Sequence, residues 1–320
     1  MKPHEGRKRR WGDRKDGFRV RNVDPMTRLE PYIMPKKYDG WVLSSEEVDI
    51  TATEEFIRNM RKGEMPRLTL YEIVFAAMVR AWVDVPELNR FVKHSKLYSR
   101  NCIKAAMTVM RGMSRESDRT LIIPQFECED TLYDVVRRIE EETNAIDMTV
   151  SVEEDENKNA IDGLETAFSV LPDFLLSIAI GFVKILDRYG WLPKKLTDIS
   201  PFHTSFFITN MGSIGLDAVY HHMYEFGTLS TFAGIGRKRV YYETQADGSV
   251  KRKVKVTLKF VVDERAADGF AYAVGFRKIR QYVMHPEQLL SPPVRMQLPH
   301  AMQTFCVPSG CGSGSVTVSL

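Results

Sequence analysis

At 320 residues the chain is too long for a minimal module and suits one large domain or two small ones. Its 43% hydrophobic and 27% charged residues are those of a soluble globular protein with a real core, and a net charge of +3 is too small by itself to imply a nucleic-acid partner. No segment reaches the length of a membrane span and no apolar signal core opens the chain, while Cys102, Cys128, Cys306 and Cys311 are scattered without metal-ligand spacing, so the expected compartment is the reducing cytoplasm.

The first 20 residues form a basic arm, with Arg7-Lys8-Arg9-Arg10 ahead of Trp11, expected either as a solvated tail or as a segment lying on a neighbouring subunit. Residues 21–298 carry the periodic patterns of one folded domain. Thr51-Ala52-Thr53-Glu54 reads as a capping box opening a helix that Gly63 ends; Thr69-Leu70-Tyr71-Glu72 opens a second that stops before Pro86. Phe56, Met60, Ile73 and Ala77 are their core positions. Leu121-Ile122-Ile123-Pro124 reads as a strand, and Leu132, Val135, Val136 and Ile139 mark another amphipathic helix.

Residues 151–163 centre on Glu153-Glu154-Asp155-Glu156 and are expected as an exposed acidic loop. Pro172 to Trp191 is unusually apolar but too short to cross a bilayer, which leaves a buried or interface helix, a lid over a substrate channel, or a helix lying on a membrane surface. Phe206 to Phe260 reads as successive β structure: a strand to Thr209, a glycine-rich turn at Gly212 to Leu216, and a small-residue strand from Gly227 to Gly236. Ala246-Asp247-Gly248-Ser249 then turns back into Val254–Val262, whose apolar residues alternate with Lys253, Lys255 and Lys259. Asp263-Glu264-Arg265-Ala266-Ala267-Asp268-Gly269 follows as an acidic loop in which Gly269 is expected to permit a tight turn, and Tyr272, Phe276, Ile279 and Val283 recur at helical spacing beyond it. From residue 299 the composition becomes that of a flexible tail, ending in the strand-prone Val316-Thr317-Val318-Ser319-Leu320, either disordered or a docking peptide for another protein.

The strand, acidic loop and helix at residues 254–283 resemble the catalytic domain of the 2-oxoacid dehydrogenase acyltransferases and the related chloramphenicol acetyltransferases, whose signature is His-x-x-x-Asp-Gly in that context. The resemblance spans roughly residues 20–295 in order. Glu47-Val48-Asp49-Ile50-Thr51 is similar to the family's early strand, Val85-Pro86-Glu87-Leu88-Asn89 to the end of its second helix, and Phe207-Ile208-Thr209-Asn210-Met211-Gly212 to its Thr/Ser-Asn-Leu-Gly segment. The departure is Glu264, which stands where the family has its His. The resemblance implies an α/β sandwich with a mixed sheet flanked by helices, assembled as a homotrimer with channels between subunits. It also implies acyl transfer from acyl-coenzyme A to a small acceptor, with no metal.

In that family the imidazole takes the proton of a thiol, whereas a free Glu, with a pKa near ~4.3, is a poor base unless burial raises it. Glu264 therefore reads either as a base tuned by desolvation or as a carboxylate that merely pairs with Arg265 or another cation, in which case the chain is an inactive trimeric scaffold. Thr209 matches the hydroxyl that donates to the oxyanion of the tetrahedral intermediate. Asp268 matches the second motif residue, whose partner is an arginine early in the fold; Arg28 is the best-placed candidate. His203, and more directly the pair His221 and His222, are the imidazoles that could restore a base, and the pair without a third ligand is weak as a metal site. The family's lipoyl and subunit-binding domains have no counterpart here, so the acyl group is expected from free acyl-coenzyme A or from a separate carrier.

Overall fold

Alternating apolar and basic residues in the C-terminal third build the centre of a mixed sheet, and the computed structural model describes residues 4, 6–110, 119–151 and 172–293. In chain order the elements are β1 (Gly17–Arg19), α1 (Pro25–Ile33), β2 (Trp41–Asp49), α2 (Thr51–Arg61), α3 (Leu70–Asp84), β3 (Arg90–Lys93), β4 (Lys96–Arg100), β5 (Ile103–Met110), β6 (Arg119–Ile122), β7 (Gln125–Phe126) and α4 (Leu132–Ser151). After the undescribed segment come α5 (Asp173–Tyr189), α6 (Lys194–Ile199), β8 (Phe206–Asn210), β9 (Thr231–Ile235), β10 (Arg239–Thr244), β11 (Val250–Asp263) and α7 (Gly269–Met284).

The large sheet runs β10-β11-β9-β8-β5-β6, with β2 against β11 and β7 against β5, while β1-β4-β3 form a small second sheet. Strands β5, β8 and β9 are parallel neighbours and the remaining pairs are antiparallel. On β11, Val254, Val256, Leu258, Phe260 and Val262 face a core shared with α2, α3, α4 and α7. Its centre is aromatic: Phe206 lies 5.0 Å from Trp82 and 5.5 Å from Phe75 between ring centroids, the tilted geometry that rings favour over a face-to-face stack. On the opposite face, among the described residues, a smaller cluster of Met223, Leu229, Phe232 and Val261 has Trp41 and Phe207 packed against it. Helices thus cover one face of the sheet, and residues 211–230 lie over the other.

The Thr69 capping box is present in full, with Glu72 accepting from the Thr69 N–H at 2.8 Å. At Thr51 it is not. That residue lies inside α2, behind Ile50 at the cap, because its hydroxyl is committed to the Asp49 carboxylate at 2.6 Å and to the Val254 N–H at 2.9 Å. The small-residue strand is shorter than expected and begins at Thr231, since Gly227 turns the chain at a φ of 81° beside Phe202. The basic arm divides. Lys8 to Trp11 are exposed, Trp11 at 99%, whereas beyond them β1 pairs with β4 in the register Gly17↔Arg100, and Arg14 and Phe18 are buried.

Helix α5 is not a core helix of this chain. Phe174, Ile178, Phe182 and Ile185 lie along it exposed, the first two at 65%; only Asp187, near its C-terminus, is buried. Of the readings open to it, burial within this chain is excluded, because the rest of the described chain offers this stripe no surface. The acidic run at Glu153 to Glu156 and the tail from residue 299, with Val316 to Leu320, lie outside the described residues.

Candidate functional site

Strand β11 ends at Asp263 and helix α7 begins at Gly269, so the acidic loop is suspended between two elements of the core. Its rigidity comes from a buried pair. The Arg265 Nε and Nη2 donate to the two Asp263 carboxylate oxygens at 2.8 Å each, and Nη1 donates to the Met34 carbonyl at 3.0 Å. This two-pronged geometry fixes direction as well as charge. The Tyr272 hydroxyl donates to the Asp263 carbonyl at 3.0 Å, and the Glu264 N–H donates to the Gly40 carbonyl at 2.8 Å.

Glu264 is half-buried and, among the described residues, makes no ion pair; the partner of Arg265 is Asp263, which corrects the expected Glu264–Arg265 pair. Nearby, burial and then the charges of Glu264, Asp24 and Asp268 push the Glu30 carboxyl above its ordinary value, so these carboxylates share one region of negative potential. Asp268 is exposed and caps α7, accepting from the Ala271 N–H at 2.7 Å. No ion pair joins it to Arg28 among the described residues; an exposed cap has no buried charge to neutralise and needs none. Gly269 is likewise not forced: its φ is ordinary and an added Cβ would meet nothing within 4 Å.

On the outer face, Thr209 follows Phe207 by two residues and so shares its side of β8. The Thr209 hydroxyl has only the Met211 sulfur, at 3.9 Å, as a partner among the described residues, and is free to donate elsewhere. The segment after it is held close. A Cβ on Gly212 would lie 2.5 Å from the Gly236 carbonyl oxygen, which is why the Asn210-Met211-Gly212 turn needs a glycine there. His221 stacks on Phe232 (centroids 4.5 Å, 19°), which stacks in turn on Phe207 (4.6 Å, 10°). Burial, and then His222, hold the His221 imidazole below its ordinary value, so it is mostly neutral at pH 7. His222 is exposed, with its ring edge-on to Tyr224.

The residues thus fall into two places. Thr209 and His221 share the outer face, whereas Glu264 lies past the end of β11. Thr209 pairs with Gly234, which pairs with Lys259, five positions before Glu264. At ~3.3 Å per residue, Thr209 and Glu264 are about 16 Å apart along the strand direction alone. Within one chain they cannot touch the same carbonyl group. No group of three or more His, Cys, Asp or Glu side chains able to hold a metal occurs among the described residues.

Sequence reasoning missed a buried ionic ladder behind the loop. The Asp187 carboxylate of α5, 1% exposed, accepts from His203 Nε2 at 3.0 Å, Lys93 Nζ at 2.5 Å and the Gly227 N–H at 3.0 Å, with the Arg14 guanidinium at 3.6 Å. His203 Nδ1 bonds the Ser200 hydroxyl at 2.8 Å. Burial alone would raise Asp187, but the bonds from His203 and Lys93 hold it well below the usual carboxylate range. Next along is Lys37, 3% exposed, whose Nζ donates to the Tyr224 carbonyl at 2.8 Å. These residues come from segments separated by up to about 200 positions and carry no shared period, so only a buried Asp in an otherwise apolar helix could have signalled them.

Burial, then repulsion from Lys93, lowers the Lys37 amine to about 8. Between that value and an unfolded pKa near ~10.4 the unfolded chain holds a proton that the folded one has released, so stability rises with pH in this window. From pH 8 to 10 the wild type is expected to gain about 2 kcal/mol relative to Lys37→Met, in denaturant unfolding at both pH values. Parallel curves would refute a neutral Lys37.

No family model matches the sequence, and no curated protein matches it. Solved structures do. A probable dihydrolipoamide acetyltransferase from Listeria monocytogenes superposes on 84% of this chain and 95% of its own, at 14% identity and a TM-score of 0.50. A dihydrolipoamide acetyltransferase from Azotobacter vinelandii covers 85% of this chain and 95% of its own at 15% identity and a TM-score of 0.47. A chloramphenicol acetyltransferase covers 82% and 96%, at 8% identity and a TM-score of 0.47. The match to the Listeria structure extends over nearly the whole of that chain, and this chain has its fold, as the sequence resemblance implied.

Proposed function

We propose that this chain is an acyltransferase that moves an acyl group from acyl-coenzyme A to a small acceptor, working as a homotrimer whose sites lie between subunits. The observation that carries the proposal is the separation of Thr209 from Glu264. One is an uncommitted hydroxyl on the outer face and the other a half-buried carboxylate at the strand end, and only two chains can bring such groups to one reacting carbonyl. Thr209 donates to the developing oxyanion, Glu264 removes the acceptor's proton, and Asp268 holds the loop as the cap of α7. His221, mostly neutral and on the same face as Thr209, is the alternative base; His222 is too exposed for that role.

A second reading has its own observation. Everything that holds the loop, namely the Asp263–Arg265 pair, the Tyr272 bond and the Asp268 cap, is complete without the Glu264 side chain, as suits a trimeric scaffold that keeps the fold after losing the chemistry. Release of free thiol from acetyl-coenzyme A in the presence of alcohol, amine and thiol acceptors separates the two. Turnover should fall on the order of 100-fold in Thr209→Val, the usual cost of one oxyanion donor. Absence of thiol release from the wild type across donors and acceptors would favour the scaffold, and turnover untouched by Thr209→Val would remove Thr209 from the mechanism.

A further inference from the structure

A cavity of about 420 Å³ lies away from the acidic loop, where the start of β5 meets α6 and the N-terminal arm. Its volume is within the range of small-molecule sites. Six cations line it, Arg9, Arg14, Lys15, Arg100, Lys104 and Lys194, against the two carboxylates of Asp16 and Asp198. Even with Asp187, behind the wall, set against Arg14, three positive charges remain in excess.

Arg100 decides what the excess means. Its side chain is 1% exposed, and its guanidinium donates to the carbonyls of His203 (3.1 Å) and Thr228 (2.8 Å) and to the Thr228 hydroxyl (3.0 Å). Among the described residues no carboxylate lies within ion-pair distance of it. A buried guanidinium without a contact counter-ion is costly unless something else supplies the charge. A single carboxylate would leave most of the excess standing, whereas a phosphate ester or diphosphate carries two or more charges and matches guanidinium geometry. The cavity is also distinct from the acyl-transfer residues: β5 lies three strands from β11, which delivers Glu264, roughly 14 Å at the usual strand spacing, and Lys104 sits beside Ser205, four residues or roughly 13 Å along the chain from Thr209 of the adjacent β8.

We infer that this cavity binds a phosphorylated small molecule, at a site separate from the one that holds Thr209 and Glu264. The arm forms one wall through Arg9, Arg14 and Lys15, so the ligand also holds the arm against the domain.

The test is calorimetric titration of the whole protein with pyrophosphate at constant ionic strength. Saturable binding is expected, weakened at least tenfold in Lys104→Gln/Lys194→Gln and unchanged in Lys251→Gln on the far strand β11. Should the double variant lose its thermal transition, Lys194→Gln alone, at the exposed rim, is expected to weaken binding by about threefold, since it removes one cation of several. Binding in Glu264→Gln should equal that of the wild type, so a failure of the acyl-transfer reading leaves this result intact. Heat without saturation, binding insensitive to the lysine variants, or displacement of pyrophosphate by acetyl-coenzyme A would each overturn the inference, the last by making this the coenzyme's own site.

Discussion

Replacement of Asp187 by asparagine is expected to destabilise the protein by about 3–5 kcal/mol, the cost of breaking a buried charge cluster by removing one partner. The cost lies in what stays behind. Lys93, His203 and Arg14 all converge on this carboxylate, and asparagine keeps the shape while leaving the Lys93 ammonium without its counter-charge and Arg14 with Asp16 alone. For a domain of this size the loss corresponds to a fall in Tm of roughly 10 °C. The pH dependence gives a second readout. Because the folded carboxyl is held below its unfolded value, its contribution is fully present above about pH 4 and is lost as pH falls towards the folded value. The variant's stability should therefore fall less steeply than the wild type's on acidification. A Tm within about 2 °C of the wild type would show that the ladder contributes far less than its burial implies.

The same cluster marks where reading the sequence reaches its limit. Strand β11 and helix α7 were legible because burial imposes a period on neighbouring residues: Val254 to Val262 alternate, and Tyr272, Phe276, Ile279 and Val283 recur at helical spacing. Local chemistry was legible too, in the Thr69 capping box and the hairpin at Gln245 to Ser249. Thr51 was misplaced because its hydroxyl is captured by Asp49 and Val254, a contact between distant segments. The readings of helix α5 stayed open for a related reason: apolar residues state a need for cover, and only the fold states whether the same chain supplies it. The acidic loop was located by its motif, yet its internal pairing, Asp263 with Arg265, follows from side-chain directions that the motif does not encode.

Substitution of Glu264 by glutamine is expected to lower acyl-coenzyme A-dependent turnover by at least ~100-fold, the lower end of what a positioned general base contributes. The carboxamide keeps the volume and the half-buried setting but cannot accept a proton from a thiol or hydroxyl. Coenzyme A affinity should stay within about twofold, since a group that acts only in the transition state changes kcat and leaves ground-state binding alone. Neither change should touch stability, because the loop is held by Asp263, Arg265 and the Asp268 cap. Glu264→His gives the complementary measurement. An imidazole at this position places a group of pKa near ~6.5 where the base acts, so turnover should be retained with a pH profile that rises through that value. If Glu264→Gln turns over as the wild type does, the base is elsewhere, and His221→Gln becomes the variant that should abolish activity. If the wild type is inactive but Glu264→His gains turnover, the chain is a scaffold in which the geometry of the site outlived its base.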